Sequence, residues 1–164
     1  MGQQDLMFLS RILGIKMKKS EYAQLKLKAK RVYSKIGRVH SPALSDEYVA
    51  FTSKGFTHLV RKGHNPRPRS EQIKRFVLIP YAEAIIKNPR ATILYRSSET
   101  KYYINRHGQK ILTSSTAHFW TFIETIKGTK IKVVVRQLNQ GQKHFFSIMG
   151  NNQKRRSQGN KKSP

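Results

Sequence analysis

The sequence predicts an α+β fold in which N-terminal helices pack on a four- to five-stranded antiparallel sheet. Three observations carry this expectation. Apolar residues recur at helical spacing through residues 19–87. After residue 90 the chain turns to β-branched and aromatic runs punctuated by turn residues. The two kinds of element are segregated rather than alternating, the pattern of helices gathered on one face of an antiparallel sheet with the other face left free.

Leu6, Leu9 and Leu13 predict a short amphipathic helix over residues 3–13, stopped by Gly14. A longer helix is expected over 19–36, where Ser20 can cap and Tyr22, Leu25, Ala29, Val32 and Ile36 form one stripe with lysines on the other faces. Pro42 and the small polar residues around it mark a linker. Residues 1–47 therefore read as a basic helical extension and 48–150 as the main domain. Residues 151–164 have no apolar side chain and are expected to be a disordered basic tail.

Within the main domain, Ser53 can cap a helix through Phe56, Leu59 and Val60 that stops at Gly63. Pro66 and Pro68 flank Arg67, predicting an extended loop that displays its guanidinium with little conformational freedom. Ser70 can open a helix carrying Ile73, Phe76 and Val77. Pro80 suits the first turn of another with Tyr81, Ala84 and Ile85, ended by Asn88 and Pro89. Strands are expected at 91–96 and 101–106 around a turn at 97–100, and at 109–113 after a turn at His107 and Gly108. Further strands at 119–126, 131–138 and 143–149 are joined by Gly128 with Thr129 and by residues 139–142.

Thirty-three Lys and Arg oppose 8 Asp and Glu, a formal charge of +25, while 37% of residues remain hydrophobic. A chain so basic and still able to build a core points to a polyanionic partner. The absence of cysteine excludes disulfide and thiolate chemistry. Apolar runs fall far short of the roughly 20 residues that span a bilayer, and no secretory leader is evident, so a cytoplasmic location without membrane contact is expected. No cofactor and no metal is expected either. The acids are scattered singly apart from Asp46 and Glu47, Glu99 with Lys101 lacks a partner acid, and no two histidines share a helix face at ligand spacing. What remains is chemistry by His, Arg, Lys and hydroxyls. RNA suits it, because the 2′-hydroxyl is a built-in nucleophile that needs only a base, an acid and cations around the phosphate.

The segment FTSKGFTHLVRKGHNPRPRSEQIKRFVLIPYAEAII (51–86), followed by IKVVVRQ (131–137) and KHFFSIM (143–149), resembles the barnase, EndoU, colicin and RelE-like nuclease superfamily, in particular its phage and mobile-element branch. The resemblance covers about residues 48–150. It implies helices ahead of an antiparallel sheet (the BECR fold) and a metal-independent endoribonuclease acting as a toxin or effector. The implied partners are RNA, such as tRNA or ribosome-associated RNA, and an acidic antitoxin or immunity protein. It also implies that His58 is the acid or base, Arg136 and Lys143 stabilise the phosphate and Ser147 orients it. Arg61, Arg67, Arg69 and His144 would bind substrate, Arg67 as a clamp.

In a regular strand Lys143 and Ser147 share one face and His144 points to the other. One register sets Arg136 opposite Phe145, with Lys143 and Ser147; the other pairs it with His144. The first is favoured. Each residue also has an ordinary reading: His58 as a packed helix histidine, Arg67 as a loop stiffener paired with an acid, Lys143 and Arg136 as strand-edge charges. The competing function is a non-catalytic RNA- or DNA-binding protein that uses the same basic sheet.

Overall fold

A computed structural model describes residues 18–152. The expected helix over 3–13 and nearly all of the tail lie outside these residues.

Helix α1 (Lys19–Ile36) is capped two residues before its expected cap: Lys18 is the N-cap and its backbone N–H donates to Glu21 Oε2 at 2.8 Å, leaving Ser20 inside the helix. Gly37, at φ +62°, ends it. The expected stripe packs inward, and Tyr33, beside it, is buried with its hydroxyl donating to the Thr52 carbonyl at 2.9 Å. The segment read as a linker folds instead as a hairpin. Strands β1 (Arg38–Ser41) and β2 (Glu47–Ala50) pair antiparallel around a 3-10 turn at Pro42–Leu44, with Ser45 and Asp46 in the left-handed region. Buried Ser41 anchors the hairpin by donating to the Ile86 carbonyl at 2.9 Å. Ala29, Tyr33, Val39 and Leu44 thus share one core with Phe56, Ile85, Phe122 and Phe145.

Helix α2 (Ser53–Val60) is capped by Thr52, whose side chain accepts from the Gly55 N–H, one residue before the expected cap. It stops at Arg61; Gly63, at φ +60°, turns the small hairpin of β3 (Arg61–Lys62) and β4 (Asn65–Pro66). Helices α3 (Arg69–Phe76) and α4 (Ile79–Lys87) follow as expected, α4 with Pro80 in its first turn. Strands β5 (Thr92–Arg106), β6 (Gln109–Ile126), β7 (Thr129–Leu138) and β8 (His144–Asn152) complete the fold.

The architecture is α+β, with a six-stranded mixed sheet in the order β1-β2-β8-β7-β6-β5. Two differences from expectation matter. The hairpin of residues 38–50 adds two strands, and β2 meets β8 in parallel at Ala50 and His144, where the Ala50 N–H donates to the Lys143 carbonyl at 3.0 Å. Residues 97–100 do not turn. They continue β5 and pair with residues 115–118, so β5 and β6 form one long hairpin reversing only at His107 and Gly108, both at positive φ. Ser-Ser-Glu-Thr lacks the glycine, proline or asparagine a tight reversal needs, and the facing Ser-Thr-Ala-His stretch accepts strand geometry equally well.

Beyond Ala50 the chain leaves the sheet, and α2 and α3 lie along the uncovered edge of β8. A Cβ on Gly55 would collide with Tyr33 Oη and the Phe145 carbonyl oxygen, which is why glycine stands at this contact. Arg75 of α3 donates to the Ile148 carbonyl at 3.0 Å, satisfying a group that an edge strand would otherwise leave open. One face of the sheet is packed against helices through Phe122, Val133, Val135 and Phe145. The other, which α2 and α3 reach along β8, is called the open face below. Among the described residues no helix is long and apolar enough to cross a membrane.

Candidate active site

The β7–β8 pairing decides which side chains meet. Near its open end Arg136 pairs with His144 and Val135 with Phe145, but Val134 pairs with Ser147, so Phe146 is an extra residue at a β-bulge. The favoured register, Arg136 opposite Phe145, is therefore corrected. Each proposed register holds on one side of the bulge. The bulge also cancels the alternation that would have separated His144 from Ser147: both now lie on the open face with Arg136, and Phe146 joins the small open-face cluster of Ala117, Phe119 and Val134. Across four strands the pairings align His144, Arg136, Phe119 and Arg96 in one row on that face.

Helix α2 brings His58 to this row. Its contact through Gly55 sets the helix against the β8 edge, and one turn later the His58 imidazole lies against the Phe146 ring with centroids 4.2 Å apart. Arg136 stands over the same ring, its guanidinium 4.8 Å from the centroid, and Arg96 stands 4.3 Å over Phe119. The two rings meet edge to face at 5.7 Å. The open face at this point is an aromatic floor carrying two guanidiniums, with an imidazole at its edge.

The electrostatics follow from this crowding. Burial, then the charges of Arg136, His144 and Arg67, hold His58 below the ordinary imidazole range. His144 is lowered by burial, with Arg136 and Lys54 adding to the shift and its bond to the Gln142 carbonyl opposing them. Arg136 Nε donates to His144 Nε2 at 3.3 Å, so that nitrogen carries the lone pair and Nδ1–H faces the Gln142 carbonyl at 3.4 Å. Both imidazoles are thus neutral near pH 7, while the arginines keep their charge despite burial.

The other expected site residues are placed as follows. Ser147 is buried and accepts a short hydrogen bond from Arg75 Nη1. Lys143, expected beside Arg136 and Ser147, is instead on the helix-side face, its side chain only 7% exposed. There it pairs with Glu47 at 2.7 Å and lies 4.7 Å over Trp120. Arg67 does not display its guanidinium: Nε donates to the His58 carbonyl at 3.0 Å and Nη1 lies 3.4 Å from Glu71 Oε2, so it braces the end of α2. Arg61 donates to the His64 carbonyl at 3.2 Å within its hairpin, and Arg69 covers the Tyr22 ring of α1 at 4.8 Å. His58, Arg136, His144 and Ser147 are brought to one place; Lys143, Arg61 and Arg69 are not.

Arg75, Phe146, Arg96 and Lys54 were missed. Arg75 had no local signal, because its partners lie on β8, far along the chain. Phe146 stands in the apolar run of KHFFSIM with nothing local to set it apart, and the bulge brings it to His58 and Arg136.

Among the described residues no three His, Asp or Glu side chains converge as metal ligands would. The constellation offers two neutral imidazoles, a guanidinium between aromatic rings and a second guanidinium at a buried hydroxyl, which together can transfer protons and hold a phosphate. In comparisons with known proteins the chain matches no family model, no curated protein and no solved structure.

Proposed function

We propose that the open face is the active site of a metal-independent endoribonuclease that cleaves RNA by attack of the 2′-hydroxyl on the adjacent phosphate. The observation that carries this reading is the meeting of His58, from a helix, with His144 and Arg136, from two strands, around the Phe146 ring. A phosphate bound at Arg136 draws its fork away from His144 and frees the Nε2 lone pair. His144, oriented through Nδ1–H by the Gln142 carbonyl, takes the 2′-hydroxyl proton as the 2′-oxygen bonds to phosphorus. His58, protonated once the phosphate offsets the neighbouring cations, gives its proton to the departing 5′-oxygen. Arg136 stabilises the charged phosphorane. Arg75 and Ser147 steady the floor, and Arg67 positions His58 through its carbonyl. The products are a 2′,3′-cyclic phosphate and a 5′-hydroxyl.

The resemblance to the barnase, EndoU, colicin and RelE-like nucleases supports the same reading and adds that of a toxin or effector of a phage or mobile element. At +25, a protein inhibitor of this chain would be acidic. The test is incubation with labelled single-stranded RNA and total tRNA in excess EDTA, with His58→Ala, His144→Ala and Arg136→Ala alongside. The expected result is cleavage by the parent and a loss on the order of a hundredfold or more in each variant. RNA bound but never cut would leave a nucleic-acid-binding protein.

A further inference from the structure

Past the active-site row the β5–β6 hairpin runs on alone. Strand β7 last pairs with β6 at Ala117, and Asn139, in the left-handed region, closes that pairing by exchanging bonds with Thr116 at 2.8 and 2.9 Å. From Thr100 paired with Ser115 to Arg106 paired with Gln109 only the two strands remain, a ribbon about 20 Å long. None of residues 101–114 is buried. A bare two-stranded ribbon is marginal in water and contributes nothing to the core here, so its stability does not explain its length.

Its composition indicates what it meets. Tyr103 is 69% exposed and Tyr102 42%, with Leu112 and Thr113 across from them; strand alternation sets Tyr102 and Arg106 on the face of Arg96, and Tyr103 with Lys101 and Lys110 on the other. Lys101, Arg106 and Lys110 flank the rings. None of these five tyrosine, lysine and arginine side chains makes a hydrogen bond, ion pair or ring contact with another described residue. The rest of the ribbon is rich in hydroxyls and amides, with Thr113, Ser114, Asn105 and Gln109. Exposed rings between unpaired cations are what a single strand of RNA requires, the rings taking bases and the cations taking phosphates. A second copy of the chain is disfavoured by its own +25 charge.

We propose that this ribbon is a gripping arm around which single-stranded RNA winds, stacking bases on Tyr102 on one face and Tyr103 on the other and pairing phosphates with Arg106 on the first and Lys101 and Lys110 on the second. It begins four residues beyond Arg96, the last member of the active-site row, and Tyr102 and Arg106 share the face of Arg96, so the strand held at the row reaches the arm first at these two residues. The inference rests on RNA being this chain's ligand, and its test measures binding rather than cleavage.

The probe is a fluorescent 2′-O-methyl RNA of about 20 nucleotides, which cannot undergo 2′-hydroxyl attack, read by anisotropy with the full chain. In one variant an Asn-Gly turn replaces residues 101–114, joining Thr100 to Ser115; circular dichroism and thermal melting check that the fold remains. The shortened ribbon should weaken Kd by roughly tenfold or more. Changing Lys101, Arg106 and Lys110 to Gln should flatten the slope of log affinity against log salt by about two, at roughly 0.7 per phosphate contact. Tyr103→Phe should bind like the parent and Tyr103→Leu more weakly. Unchanged affinity in the shortened protein, equal binding by the Phe and Leu variants, or competition by blunt duplex RNA as strong as by single strand would each overturn the proposal. Ribbon effects on binding in a protein that cuts no RNA would uphold the arm and refute the nuclease, whereas cleavage with an inert ribbon would do the reverse.

Discussion

Phe145 and Phe146 are neighbours with opposite duties, and truncating each to alanine separates folding from function. Phe145 is fully buried, stacked on Phe51 at 4.8 Å and edge-on to Tyr33 at 5.4 Å. Its loss should cost about 3–5 kcal/mol, a large part of the stability of a domain this size. Phe146 is half-buried, so the lost burial is about half of the ~3 kcal/mol for a fully covered ring. The contacts with His58, Phe119 and Arg136 add about 1 kcal/mol, for a total of about 2–3 kcal/mol. Its effect on catalysis should be the larger one. Without the ring, His58 and Arg136 lose the surface that spaces them, and a displacement of about 1 Å costs on the order of a hundredfold in rate. Urea unfolding should therefore rank Phe145→Ala as the less stable protein. RNA cleavage under folding conditions should show Phe146→Ala down by about a hundredfold in kcat/KM. A folded Phe146→Ala protein cutting RNA within about threefold of the parent would refute the role given to the bulge.

Other outcomes follow from the same geometry. Gly55→Ala gains about 1 kcal/mol of helix propensity but drives a methyl into Tyr33 Oη and the Phe145 carbonyl, so a net loss of about 1–2 kcal/mol is expected in the urea midpoint. Lys143→Met should keep RNA cleavage within about twofold. The thioether fills the volume of the lysine stem over Trp120, and Glu47, 51% exposed, is left to water. A loss of orders of magnitude in that variant would return Lys143 to the site. His58 and His144 bind protons less readily folded than unfolded, so the unfolded chain holds more protons as pH falls through the ordinary histidine range. Stability should accordingly be full above that range and decline on acidification from about pH 7.5 to about pH 5, and the decline should shrink in the His58→Gln, His144→Gln double variant when followed by thermal melting.

What could be read from the chain divides by the range of the interaction. The stripe from Tyr22 to Ile36, the α2 cap within one residue, Pro80 in the first turn of α4 and the reversals at Gly108 and Gly128 were all legible, because each depends on neighbours within a turn or two. Residues 38–50 were misread because their strand character is realised only by β2 docking on β8, nearly a hundred residues later in the chain. His58 and Arg136 were recognisable as candidates by residue type and position. Their association with His144 was not, because it requires one unpaired residue at Phe146, and nothing in HFFSIM distinguishes a bulge from a regular strand. Lys143 and Arg67 were misplaced for a related reason. A cation in a basic protein looks free until its long-range acid or carbonyl is known, and here Glu47 and the end of α2 claim them.

The central claim is that RNA supplies the nucleophile and two histidines move the protons. Mass spectrometry of the ends produced from RNA in excess EDTA tests it most directly. The account predicts 2′,3′-cyclic phosphate with 5′-hydroxyl ends, formed by the parent and not by His58→Ala or His144→Ala. Products bearing 3′-hydroxyl and 5′-phosphate ends, or cyclic phosphate formed equally well by both variants, would contradict it.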